Sequence, residues 1–181
     1  MDDKRFELAK RMIARAQTGL YFLDACLEKI HRGGTDVAYS RSIYILLSFN
    51  FELLLKARAV LAAKNLMEGD LMSDLRHHNL SELFKILQDK SADDLGIQSV
   101  DRTNGRFVEY QVVMNDGCHI NIPEFINVRY DFEQDDLRDP DHQESQRIKK
   151  EVRRFLDITE KIIAMIPEEY WRKRVLLQDA R

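Results

Sequence analysis

A helix running from Ile43 to Ala63 would be apolar on nearly every side, yet it would carry Asn50, Glu52, Lys56 and Arg58. A helix that is hydrophobic all round is buried all round. This segment, expected to be helical from Asp36 to Asn65, is therefore either the centre of the domain or a helix with one face in the core and another in a dimer interface. It is not a simple membrane span, because its charges cost too much at the bilayer centre. Glu52 and Lys56 lie four apart with Glu first, the favourable order for an ion pair. An unpaired buried charge is expensive. The two charges thus belong to an internal pair, to a narrow solvated strip, or to a polar site lining a cleft.

The first helix is the most regular element. Phe6, Ala9, Ile13, Ala16, Leu20, Leu23, Leu27 and Ile30 follow at alternating steps of three and four, an unbroken stripe of period 3.5. Asp2 and Asp3 suit its positive end, and Gly33-Gly34 ends it. The stripe describes a bundle helix with one buried face, and is only just long enough for a coiled coil with a partner.

Further along, Asn79 followed by Glu82 resembles a capping box with Asn in place of Ser or Thr. The helix it opens carries Leu80, Leu83, Phe84 and Leu87 on one face and ends near Lys90. From residue 101 to 122 the pattern changes to alternating β-branched and aromatic residues around Asn115-Asp116-Gly117, which reads as one β-hairpin. Two strands do not stand alone, so the hairpin should pack on the helices as an insertion. Pro123 opens a short helical turn from Glu124 to Val128. An acidic, irregular stretch from Arg129 to His142 leads to a helix starting near Glu144, with Ile148, Val152, Phe155, Thr159, Ile162 and Ile166 on one side. Pro167 breaks it, and residues 168–181 form a tail, helical to about Gln178, bearing Trp171, Leu176 and Leu177. The expected fold is mainly α: an up-down four-helix bundle with an inserted β-hairpin, in one domain spanning residues 1–181.

Composition fits this. Only seven Gly and three Pro interrupt the 181 residues, hydrophobics make up 44% and charged residues 33%, which is the profile of a soluble globule and not of collagen, a disulfide scaffold or a disordered tail. The net charge of −3 argues against nucleic-acid binding through bulk positive charge, and DNA is not expected as a partner, although a local basic patch stays open. Cys26 and Cys118 read as reduced thiols. The N-terminus is charged and lacks an apolar signal core, so the expectation is a cytoplasmic protein without a membrane partner.

Several chemistries fail at the level of motif. The chain has no Gly-rich phosphate loop, no Cys-x-x-Cys, no His-Glu-x-x-His and no Gly-x-Ser-x-Gly elbow. His77 and His78 are adjacent, so they do not share one metal from a helix face. Asp131, Glu133 and Asp135 alternate as in a calcium loop, but Asp136 stands where glycine is wanted and His142 where a bidentate Glu should close it. No metal and no cofactor is expected. Arg147, Lys149, Lys150, Arg153 and Arg154 crowd the start of the last long helix, where basic charge opposes the dipole. Either Asp135, Asp136, Asp139 and Asp141 compensate them, or they form a phosphate-tracking patch for RNA.

Three stretches together resemble the HEPN superfamily of helical bundles. Ser48 to Ala57, with Glu52-Leu53 and Lys56, is similar to that family's Glu-Leu-x-x-Lys helix. His78-Asn79-Leu80 is similar to its His-Asx-Leu helix start. Arg129-Tyr130 is similar to the Arg-Tyr before its last helix. The resemblance covers about residues 5–166 and implies a four-helix bundle, usually dimeric. Many active members are metal-independent ribonucleases whose Arg and His, separated by a few residues, converge from two protomers on a scissile phosphate. Here the pattern is departed from. No histidine follows Arg129 at the right distance. Arg138 and His142 are four apart, one residue too close, with Pro140 between them.

The resemblance therefore implies a non-catalytic, dimeric binding module in a prokaryotic defence or toxin–antitoxin setting, with a nucleotidyltransferase-like protein or RNA as partner. Its polar cluster would be Glu52, Lys56, His78, Asn79, Arg129 and Tyr130, hydrogen-bonded to one another. The rival reading is an endoribonuclease with a degenerate site, in which Arg129 binds phosphate and His78 or His142 is the general acid and base. A ligand sensor with a pocket between helices and hairpin is a third reading.

Overall fold

The computed structural model describes residues 3–31, 38–63, 75–76, 78–88, 92–103, 109–123 and 142–172. Within them lie five helices, α1 (Asp3–His31), α2 (Ala38–Ala62), α3 (Leu80–Gln88), α4 (His142–Ala164) and α5 (Glu168–Arg172), and a small sheet of β1 (Ile97–Arg102), β2 (Glu109–Met114) and β3 (His119–Pro123). The chain is mainly helical. The expected turn at Glu124–Val128, the acidic stretch up to Asp141 and the tail beyond Arg172 lie outside the described residues.

The stripe on α1 faces inward as its spacing requires. Ala9, Ile13, Ala16, Leu20, Leu23 and Leu27 are all at most 1% exposed. They lie mainly against α2, and α1 also packs on α4. Both neighbours run antiparallel to α1. Arg5 at the start of α1 donates to the Ala63 carbonyl at the end of α2. Gln17 Nε2 donates to Glu160 Oε1 at 3.4 Å, while Glu28 near the end of α1 pairs with Lys149 near the start of α4. Hence α2 and α4 run parallel to each other, and Phe51 stacks on Phe155 between them, with centroids 4.8 Å apart.

Every residue from Asn50 to Val60 on α2 is buried. Four elements enclose the helix: α1, α3, α4 and β3. The second apolar face of α2, one ground for expecting a dimer, is thus covered within a single chain by α3 and the sheet.

The sheet is a three-stranded antiparallel meander in the order β1-β2-β3. The expected hairpin corresponds to β2 and β3, with Tyr110 opposite Ile122 and Val112 opposite Ile120. All four of these side chains are buried on one face. Gly117 takes φ +77° at the turn, which closes with Gly117 N donating to the Met114 carbonyl at 2.8 Å. The sheet differs from expectation in gaining β1 along the other edge of β2. The register shifts between Ile97 and Ser99, so the buried residues Ile97 and Val100 stand three apart and the usual alternation is lost. In α3, Asn79 caps the helix as expected, with Oδ1 accepting from Ser81 N at 3.0 Å and Glu82 N at 3.3 Å. The reciprocal half of the box is replaced: Glu82 pairs with Lys85 at 2.8 Å.

Candidate functional site

Ser48, Glu52 and Lys56 recur every four residues and therefore share one side of α2. All three are buried. Lys56 Nζ donates to Glu52 Oε1 at 2.6 Å, and these two side chains are 9% and 3% exposed. A carboxylate this far from water needs further donors, because one partner leaves lone pairs unmet. His78 supplies one. Its Nδ1 lies 3.0 Å from Glu52 Oε1 and 3.1 Å from Oε2. Both carboxylate oxygens only accept, so Nδ1 carries the proton and Nε2 is the acceptor in the neutral ring.

The local fold explains how His78 gets there. Asn79 turns the chain into α3 by capping it, and the preceding residue is thereby placed over α2. The imidazole bridges two environments, since one nitrogen touches a buried carboxylate while the side chain as a whole is 50% exposed. Lys56 and Glu52 neutralise each other, so protonating His78 would leave the cluster with one net positive charge.

The structure thus brings together Glu52, Lys56, His78 and, through the cap, Asn79. Arg129, Tyr130 and His77 lie outside the described residues. His142 is the first residue of α4, and its side chain is also outside them. Among the described residues no group of three or more His, Cys, Asp or Glu is placed to hold a metal, and no helix there is long and apolar enough to cross a membrane. Neither Cys26 nor Cys118 is in a disulfide.

Three of the five basic residues that crowd the start of α4 have partners among the described residues. Lys149 pairs with Glu28 of α1, Arg154 Nη1 with Asp116 Oδ2 at 2.9 Å, and Arg147 Nε lies 3.7 Å from Glu151 Oε1. Lys150 and Arg153 are exposed. The carboxyl of Asp116 sits below its usual range, first because the Cys118 backbone N–H donates to it and then because Arg154 does. Arg154 is raised in turn by that hydrogen bond.

The sequence named Arg58 on the buried helix without a partner, and the buried charges of Lys10 and Glu151 went unmarked. Arg58 reaches from α2 to Asp94 in two bonds, Nε to Oδ1 at 3.2 Å and Nη2 to Oδ2 at 2.7 Å. Lys10 is buried on α1, donating to the Tyr170 carbonyl and to Glu7 Oε1 at 3.2 Å, with its ammonium 5.4 Å from the centre of the Trp171 ring. Lys10 occupies a flank of the apolar stripe, and its spacing to Glu7 was the one available signal. Arg58 to Asp94 has no such signal, because the partner comes from a different element.

Compared with known proteins, the chain matches no family model, and it has no significant match to a curated protein or to a solved structure.

Proposed function

We propose that the chain is a non-catalytic, HEPN-like dimeric module that acts by binding, with a nucleotidyltransferase-like protein as its partner in a prokaryotic defence or toxin–antitoxin setting. The observation that supports this reading is the closure of the Glu52–Lys56–His78 cluster. The buried carboxylate accepts from an ammonium of its own helix and faces an imidazole from the segment that leads into α3, so the charged residues of α2 tie neighbouring elements together. The three motifs that resemble the HEPN superfamily supply the rest of the argument.

The test is incubation of the full chain with structured and single-stranded RNA in the presence of a metal chelator. The expected result is intact RNA. Cleavage by the wild-type chain that disappears in Arg129→Ala would overturn the reading in favour of an endoribonuclease. One feature favours that second reading: His78 is half-exposed and oriented through Nδ1 by a buried carboxylate, the arrangement that sets the tautomer of a general acid or base. Arg129 would then bind the phosphate, and His142 would be the other candidate for proton transfer.

A further inference from the structure

The outward side of α1 is as regular as its inward side. Arg11, Ala14, Thr18, Tyr21, Ala25 and Glu28 follow at steps of three, four, three, four and three. The first five are exposed, and the Glu28 side chain is 42% exposed. Tyr21 and Phe22, each 56% exposed, are the large hydrophobic side chains left in water among the described residues. At one end of this stripe a cleft of about 470 Å³ is lined by Glu7, Lys10, Arg11, Ala14, Arg15 and Trp171. It is rich in donors. Neither Arg11 nor Arg15 has a carboxylate partner among the described residues, and the buried Trp171 indole N–H has no acceptor there. At the other end of the stripe stand the carboxylates of Asp24 and Glu28.

The geometry points to a second copy of this chain as the occupant: we propose that two α1 helices pack antiparallel about a two-fold axis, so that residues whose numbers sum to 39 face each other. That register sets Arg11 against the partner's Glu28, Ala14 against the partner's Ala25, and Thr18 against the partner's Tyr21. Each pair occurs twice by symmetry. The alanines let the backbones approach, the tyrosines fill the centre, and charges of opposite sign meet at both ends. On the flank, the Arg15 guanidinium lies beside the partner's Phe22 ring, a cation–π contact. A parallel pair would instead set arginine against arginine and glutamate against glutamate. Glu28 already accepts from Lys149, and its carboxylate has lone pairs left for an arginine. One helix pair is smaller than a standard interface, so the dimer dissociates in the micromolar range.

This rests on the dimeric part of the function proposed above and names its surface. Sedimentation of the full chain between about 1 and 300 µM tests it, with reversal of the end charges. Arg11→Glu and Glu28→Arg should each weaken the dimer at least tenfold, roughly what like charges facing each other impose, and the two together should restore it. A mixture of Ala14→Cys and Ala25→Cys chains, both with Cys118→Ser, should cross-link on oxidation, while neither chain should do so alone. Like positions in this register lie roughly 16 Å apart along the axis. A dimer that ignores both charge reversals, or that cross-links residue 14 to residue 14, overturns this surface and leaves a dimeric module standing. A strict monomer at the highest concentration overturns both. A monomer that binds pyrophosphate, and loses it in Arg15→Ala, assigns the cleft to a free anion instead.

Discussion

Helices α1 and α2 are neighbours of similar length, yet they treat their charges in opposite ways. α1 has a buried stripe and an exposed one, and its arginines at positions 11 and 15 stay in water. α2 has no exposed side from Asn50 to Val60, and Glu52, Lys56 and Arg58 are taken out of water with it. The difference lies in what surrounds each helix. α1 is covered by α2 and α4, whereas α2 is enclosed by α1, α3, α4 and β3. A charge on the enclosed helix needs its counter-charge supplied by the same fold. Lys10 on the covered side of α1 obeys the same rule, but a charge on the open side of that helix is under no such constraint and is available to another molecule.

The sharpest way to break this contrast is Glu52→Ala. It leaves Lys56 buried without its carboxylate and should cost about 3–5 kcal/mol in denaturant unfolding, whereas replacing both charges with Leu should be close to neutral. A single-variant loss below about 1 kcal/mol would mean that the pair is reached by water. Next in size is the contact between the two helices. A Cβ built on Gly19 of α1 would lie 2.8 Å from Asn50 Cγ and closer still to the two terminal atoms of that amide. Asn50 is buried and short, so it has little room to retreat. Gly19→Ala should therefore destabilise the fold by about 1–3 kcal/mol through overpacking, although alanine is the better helix former by about 1 kcal/mol. A thermal melt that rises instead would show that the helices slide apart freely.

Tyr21→Ser probes the open side of α1 and should change folding stability by no more than about 0.5 kcal/mol, while lowering self-association in sedimentation. The smallest effect belongs to the ion pair in water. The Asp116 carboxyl is held below its ordinary value, chiefly by the Cys118 backbone N–H and then by Arg154. A lowered folded-state value means that the unfolded chain binds the proton more readily. The stabilisation is therefore complete above the ordinary carboxylate value of 3.8 and fades as the pH falls through the lower folded value. The stability difference between wild type and Asp116→Ala should be flat from pH 7 down to about 4 and shrink below it. A difference that first appears below pH 4 would reverse the sign and refute the assignment.

Periodic features were legible from the sequence because burial and period coincide in them. The six described core positions of the α1 stripe, the apolar run of α2 and the spacing of Glu52 and Lys56 are all local in sequence, whereas what covers the second face of α2, and whether its pair is internal, depended on elements the sequence did not place. The Asn115-Asp116-Gly117 turn is local too, and it sits where β2 turns into β3. β1 was not legible, because its bulge places the buried Ile97 and Val100 out of phase with a strand's alternation and its other residues are polar. In the polar cluster, the pairing of His78 with Glu52 spans 26 positions and became an expectation only through the resemblance of three motifs to a family. The Arg58–Asp94 bridge spans 36 and no motif marks it. For the α4 basic residues the sequence left two readings open, compensation by the nearest acids or a patch for RNA phosphate, and those acids lie outside the described residues. Lys149 and Arg154 pair with Glu28 and Asp116, which folding brings near from distant segments.

The parallel course of α2 and α4 has a consequence for the sheet. One helix finishes beside the start of α1, and the other begins beside its end, so the polypeptide between them has to travel back along the full length of the molecule. That journey is about 35 Å for helices of this size. The meander and α3 lie on this return leg, and trimming them to a tight turn would leave the two helices unable to keep their orientation. An apparent ornament is therefore part of the frame.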